Sequence, residues 1–346
     1  MFDATPMNPA ELAAIAESAP QRGRKAAMQA QPVSPTPSAL IIQGEPPVQS
    51  QPTYHAPPPE WSSGHVPLAP YDPAPNAAIV DDIVSLHRLR QGMIKAQTKL
   101  KLQGMASIRF MIQTDDDFAS DEAKAKARKR ADDLYREVVA DPAHPLFGNV
   151  APYLLAMEPL DTQRAIYEKA LVKAAKRLPV YEWAKGVKGF GDISFATIVG
   201  GCGDIGTYKS VSAVWKRLGL AVIGGKRQGA PGLGATADDW IEHGYNRKRR
   251  SVSFVAAYRI IGANGLWRPA PGEDVHANPD LTYYQRVFAD RVRYESERLE
   301  LPIVTKINAK GQPKESYKKH VSMRAHRYVE KRLLKHLYIE WRRASA

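Results

Sequence analysis

One cysteine, Cys202, occurs in 346 residues, so no internal disulfide and no cysteine metal cluster can form within the chain. That usage fits a reducing compartment, and Cys202 reads as a small core residue among glycines. Long apolar runs are missing as well, and without about eighteen consecutive apolar residues no segment is expected to span a bilayer. The start, MFDATPMNPAELAAIAESAP, has no basic n-region followed by an apolar stretch, so it does not read as a signal peptide. A cytoplasmic protein with no membrane partner is the expectation. Phosphate-binding Walker loops, Gly-x-Ser-x-Gly elbows and Cys/His ligand spacings do not occur. The nine histidines form no His-x-x-x-His pair with carboxylates beside it. No cofactor, metal site or catalytic constellation is therefore expected, and whether the chain is an enzyme stays open at this point. Alternating β patterns long enough to build a sheet are lacking too, which leaves a mostly α fold.

What the chain has in excess is positive charge. Lys and Arg number 49 against 36 Asp and Glu, a formal net charge of +13 and a pI near 9.6. Hydrophobic residues make up 44%, enough for a real core. Residues 1–75 hold 16 of the 27 prolines and carry 3 basic and 6 acidic residues. Apart from a short helix suggested at 9–18, they read as a disordered proline-rich arm, dispensable for folding. The remaining 271 residues therefore carry 46 basic and 30 acidic side chains, so the positive charge belongs to the folded part. Such an excess favours polyanionic partners through steering and counterion release.

Two further regions follow the arm: a helical, coiled-coil-like region over 76–178 and a helical nucleic-acid-binding domain over 179–346. In residues 77–113, Ile79, Ile83, Leu86, Met93, Ala96, Leu100 and Met105 recur at helical spacing among Arg88, Arg90, Lys95, Lys99 and Lys101. That pattern suits a solvated amphipathic helix or one seeking a partner helix, and self-association through residues 79–113 makes a homo-oligomer the expectation. Ser120 is a candidate N-cap for a helix over 119–140. DPAHPLFGNVAP should break the chain before a helix over 159–178, with Asp161 as its cap and Pro179 ending it. Further helices are expected over 207–225, 245–265, 278–299 and 315–343, with a glycine-rich loop at 226–246.

The stretch GVKGFGDISFATIVGGCGDI, residues 186–205, sets a glycine-bracketed turn before a run of small and apolar residues. Glycine lets the backbone approach whatever lies opposite, and the following helix presents its positive end to an anion. A plain helix–turn–helix corner is the other reading of these residues. If the turn is a helix-hairpin-helix, Gly189 and Gly191 allow the hairpin while Lys185 and Lys188 add charge. Lys226 and Arg227, and the run Arg247, Lys248, Arg249 and Arg250, are the other candidate phosphate contacts.

Taken in order, VKGFGDISFATIVGGCGDIGTY, AVWKRLGL, GGKRQG, HGYNRKRRSVSFVAAYRII, NPDLTYYQRVFADR and RAHRYVEKRLLKHLYIEW form a recognisable series. Upstream, LHRLRQGMIKAQTKLKLQGMASI is similar to a coiled-coil helix of the same family. The series resembles the transposase domain of bacterial insertion sequences of the IS-one-ten type, over about residues 79–343. The resemblance implies a DNA-binding, mobile-element protein acting in transposition or recombination. It also implies two centres whose residues differ here. The family's N-terminal ribonuclease-H-like domain holds divalent metal on four acidic residues; the proline-rich arm fills that place, and Asp115–Asp117 read as solvated charge. The family's serine position is taken by Gln228, which has no hydroxyl with which to attack phosphorus. Ser210, Ser212, Ser251 and Ser253 read as caps or helix-surface residues. The expectation is a DNA-binding relative without its own catalytic centre, with structured RNA as a possible ligand. A transposase completed by a nuclease on another chain, and an assembly protein of a mobile element or phage, are the alternatives.

Overall fold

Helix α1 (Ala74–Ile112) begins at the end of the proline-rich stretch, with Pro75 in its first turn, where a missing N–H costs nothing. The computed structural model describes residues 70–232, 234–263, 268–307 and 311–345, all within one compact unit. The expected arm and its short helix at 9–18 lie outside the described residues, except for the arm's last six. Those six do not behave as an arm. The Tyr71 hydroxyl donates to Asp204 at 2.8 Å and accepts from the Trp341 indole N–H at 3.0 Å. Its ring lies so close to Gly206 that a Cβ there would sit 2.3 Å from it. A chain beginning at Asn76 should therefore lose roughly 2–3 kcal/mol relative to one beginning at Pro70, read as the difference in urea midpoint. Equal midpoints would show that Tyr71 anchors nothing.

After a 3₁₀ turn (Asp115–Phe118), Ser120 caps α2 (Asp121–Ala140) by accepting the Ala123 N–H. Asp117 is not solvated: its carboxylate holds Arg130 at 2.8 Å and accepts the Thr114 N–H. Helix α3 (Phe147–Ala175) starts twelve residues before the expected position and carries Pro152 and Pro159 inside it. Asp161 is thus an interior residue, accepting from Gln97, and not a cap. The helix survives its prolines because it is clamped along α1. Arg177 pairs with Asp82 at 3.3 Å, Glu168 with Arg90 at 2.8 Å, and Gln97 meets Asp161, an antiparallel ladder. The partner of α1 is therefore α3 of the same chain, while Leu89, Leu102 and Phe110 stay exposed. At the far end a small core of Ile108, Tyr135, Val138 and Val150 closes the pair against α2.

The main core lies beyond. Short α4 (Tyr181–Gly186) leads to α5 (Asp192–Cys202), a 3₁₀ turn (Ile205–Thr207) and α6 (Val211–Arg217), capped by Ser210. Two ribbon strands, β1 (Val222–Ile223) and β2 (Lys226–Arg227), turn at Gly224 and Gly225, both at positive φ. The 226–246 stretch is thus not all loop: β2 and α7 (Ala237–His243) fall in it. Then come α8 (Arg247–Ile261), capped by Asn246, and α9 (Tyr283–Arg298), capped by Thr282. An antiparallel ribbon of β3 (Val304–Ile307) and β4 (Pro313–Ser316) precedes α10 (Lys319–Ala344). Among the described residues the strands form only these two ribbons, so the fold is mostly α.

Helix α10 is the spine: Val321, Ala325, Val329, Leu333, Leu337 and Trp341 are all buried along one stripe. Tyr328 and Arg332 lie at the half-exposed edge of that stripe and bond each other at 2.6 Å. Val80 and Ile83 of α1 and Leu171 of α3 join the same core as residues 178–341, so packing crosses the expected boundary at 178/179. No helix among the described residues is long and apolar enough to cross a membrane.

Candidate nucleic-acid interface

The glycine-bracketed turn joins α4 to α5 with Gly189 at φ 87° and Gly191 at φ 65°. Phe190 between them is fully buried, edge-on to Phe195 at 6.1 Å and to Trp183 at 6.4 Å. One aromatic plug thus fixes the turn and leaves Lys188 exposed at its tip. The two glycines do different work. A Cβ on Gly189 would meet the Arg259 carbonyl at 2.7 Å and the Ala263 methyl at 2.9 Å, whereas one on Gly191 would meet nothing within 4 Å. The backbone that Gly189 approaches is therefore the C-terminal end of α8. Gly191 alone opens outward, at the N-terminus of α5.

That N-terminus already holds a carboxylate. Asp192 takes Lys176 at 2.8 Å and the Tyr181 hydroxyl at 2.9 Å. The Lys176 contact keeps its carboxyl below the usual range against the opposing pull of burial. Lys185 is exposed and pairs loosely with Glu182 at 3.8 Å, and Arg259 donates to Ser194 at 3.2 Å. Lys176, Lys185, Lys188 and Arg259 thus stand against Glu182 and Asp192, a modest local excess of positive charge.

Helices α5 and α8 run antiparallel. Gly189 and Ser194 lie at the C-terminal end of α8, while Gly201 lies beside Arg249 near its start. The basic run at 247–250 is consequently about ten to fifteen residues from the hairpin along α8, roughly 15–20 Å at 1.5 Å per residue. The structure does not bring the two sets into one patch.

Around the start of α8 the four basic residues separate. Arg250 turns inward: its guanidinium forks onto buried Glu330, whose carboxylate also accepts the Ser253 hydroxyl at 2.9 Å. It belongs to the fold and not to the surface set. Arg247 and Lys248 are exposed, and no ion pair among the described residues includes them. Cations in the first turn of a helix oppose its dipole, so these two gain nothing from local structure. Lys248 faces Lys95 and Lys99 of α1 across a groove of about 590 Å³.

On the other side Arg249 enters a cleft of about 440 Å³ with Lys216, Arg217, Tyr208, Trp240 and Tyr245. Burial lowers the Arg249 pKa, and nearby Arg217 lowers it further. The Tyr245 ring rests against Gly219, where a Cβ would come within 3.1 Å of it. Gly200 likewise has the His87 ring where its Cβ would be, so this one glycine lets α1 close onto α5. Cys202 beneath is buried, its thiol pushed up to about 12 by desolvation, hence inert.

Gln228 is nearly fully buried and ties the cleft together. Its side-chain oxygen accepts the Ala221 N–H at 3.1 Å, and its amide donates to the carbonyls of Lys216 at 3.2 Å and His243 at 2.8 Å. The side chain thereby fixes α6, α7 and the base of the β1–β2 ribbon relative to one another. Lys226 and Arg227 stand exposed on that ribbon. Arg327 donates to the Ala221 carbonyl, and its pKa falls to about 10, through burial first and then Arg250 and Arg227.

Of the candidate residues, Lys248 shares a groove with Lys95 and Lys99, Arg249 shares a cleft with Lys216 and Arg217, and exposed Arg247 begins the same helix. Lys185, Lys188, Gly189 and Gly191 form a separate site at the hairpin. The cleft residues Lys216, Arg217, Trp240 and Tyr245 are not among the sequence candidates, although AVWKRLGL contains Lys216 and Arg217 and HGYNRKRRSVSFVAAYRII contains Tyr245. Among the described residues, no three of His, Cys, Asp and Glu converge as metal ligands would. Comparison of the chain with protein-family models, curated proteins and solved structures gives no match.

Proposed function

We propose that the chain binds nucleic acid, DNA first and structured RNA second, through phosphates laid along the strip at the start of α8. The observation that carries the reading is the exposed pair Arg247 and Lys248, set against their own helix dipole, with Lys95 and Lys99 in the groove on one side and Arg249, Arg217 and Lys216 in the cleft on the other. Trp240, 38% exposed beside them, offers a face on which an unpaired base can stack. The ordered motif series supports kinship with IS-one-ten-type transposases and a role in DNA transposition or recombination. Gln228 supports a chain without its own catalytic serine, since that side chain is spent on three backbone bonds. Self-association along residues 79–113 is part of the same proposal, carried by the exposed Leu89, Leu102 and Phe110.

The test is affinity for a duplex and for a structured RNA as salt is raised. With six to ten phosphates engaged, binding should fall about 10³–10⁵-fold between 50 and 200 mM salt. The triple variant R247Q/K248Q/R249Q should weaken binding for every sequence and flatten the logarithmic salt slope by roughly three. K185Q/K188Q, at the hairpin, should change the slope by less. A salt response that is flat, or untouched by the triple variant, would sink the interface.

A further inference from the structure

A third, more enclosed cavity lies between α8, α10 and the β3–β4 ribbon. Its volume is about 350 Å³, within the range of small-ligand sites. Phe254 and Tyr258, one turn apart on α8, stack at 6.4 Å and 22° and form one wall, with the Arg268 guanidinium 5.3 Å over the Tyr258 ring. The His326 ring packs on Phe254 at 4.3 Å. His326 is 6% exposed. Its Nδ1 lies 3.1 Å from Glu330. The Glu330 carboxylate, already accepting from Arg250 and Ser253, can only accept again, so Nδ1 carries the proton. Nε2, on the other side of the ring, is buried with no hydrogen-bond partner.

A buried acceptor left without a donor is costly, and here a network of Glu330, Arg250 and Ser253 holds it in place. Lys306 and Lys319 stand exposed at the mouth. The cavity therefore combines an aromatic wall, one buried acceptor at fixed position, and cations where the opening meets water. We propose that it binds a nucleoside monophosphate unit: the planar base against Phe254 and Tyr258, a base N–H donating to His326 Nε2, and the phosphate between Lys306 and Lys319. The unit comes either from a free nucleotide or from a base extruded from a bound strand. The first source is independent of the phosphate strip proposed above; the second requires it.

Two arms test this on the full chain. In the first, AMP, GMP, CMP and UMP are titrated by calorimetry, with inorganic phosphate as the control. In the second, a duplex carrying one 2-aminopurine is added, and its fluorescence reports unstacking. Tyr258→Ala and Lys306→Gln alter exposed side chains and should leave the fold intact, whereas His326→Gln tests the acceptor itself. At least one nucleotide should bind more tightly than phosphate, and Tyr258→Ala should weaken it roughly tenfold or more, as loss of a stacking partner does. Brightening of 2-aminopurine that Tyr258→Ala abolishes, without free-nucleotide binding, assigns the extruded base. The proposal is overturned if no nucleotide binds below ~1 mM and 2-aminopurine stays dark. Binding of nucleotide and phosphate alike, indifferent to Tyr258→Ala, overturns it too. Salt-dependent duplex binding that survives Tyr258→Ala keeps the strip standing whatever the cavity does.

Discussion

Gly189→Ala should cost about 3–5 kcal/mol in unfolding free energy, and Gly191→Ala only ~1 kcal/mol, although the two glycines flank one residue. Both sit at positive φ, which any L side chain resists. At Gly189 the added methyl would also press on the Arg259 carbonyl and the Ala263 methyl, and backbone at the end of α8 cannot swing aside as a side-chain tip can. At Gly191 there is open space. Since a domain's whole stability is about 5–15 kcal/mol, the first substitution removes a large share of it. Urea unfolding of both variants is the measurement, and equal losses would contradict the packing of the hairpin on α8. The pair also separates structure from binding. Gly191 faces outward at the N-terminus of α5, so a phosphate seated there would make Gly191→Ala lose affinity at nearly full stability.

The same hairpin shows what residue patterns carry and what they do not. Two glycines around one aromatic residue, before small apolar residues, were enough to expect a tight turn into a helix. That one glycine serves a distant helix could not be read, because residues 189 and 259 are seventy positions apart. Caps were legible for a similar local reason: Ser120 acts on a donor three residues away. The start of helix α3 is not legible locally, because Pro152 and Pro159 speak against helix, while the ladder from Asp82, Arg90 and Gln97 that holds it is remote in sequence. Arg250 and Arg249 are adjacent and alike, yet one is spent on Glu330 and the other lines a cleft. The positions of α10 and α6 decide that, and neither is encoded in the run Arg247–Arg250. Gln228 was read through what it lacks, a hydroxyl. Its positive role, three bonds to backbone that converge from α6, the residue before β1 and α7, is visible only once the chain is folded.

Acid should destabilise this protein steeply from about pH 6.5 downward, where carboxylates are still ionised, because two histidines are buried neutral. His87, under Gly200, has its pKa lowered to about 4 by burial and then by Arg90. His336, beside the Tyr284 hydroxyl at 2.8 Å, is lowered to about 3 by burial, with Arg332 and Lys335 adding to it. In the unfolded chain both would titrate near 6.5, so below that pH the unfolded state binds protons that the folded state refuses. Their stabilisation is complete above about pH 6.5 and is lost as pH falls toward the folded values, near 3 kcal/mol from each by pH 4. Glu295 acts in the same sense lower down. Burial pushes its carboxyl up, but Arg298, Arg324 and Arg291 together hold it at about 2, so its contribution fades only below about pH 4.5. The urea midpoint should be flat between about pH 7 and 8 and then drop steeply to pH 4, with an unchanged m-value. Together the two histidines amount to ~6 kcal/mol, comparable to the whole stability of many domains, so unfolding without denaturant is expected near pH 4–5. His336→Gln removes one of the two titrations and should roughly halve the slope between pH 6.5 and 4, even if it lowers stability at neutral pH. A midpoint indifferent to pH over that window would mean that both imidazoles reach water in the folded chain.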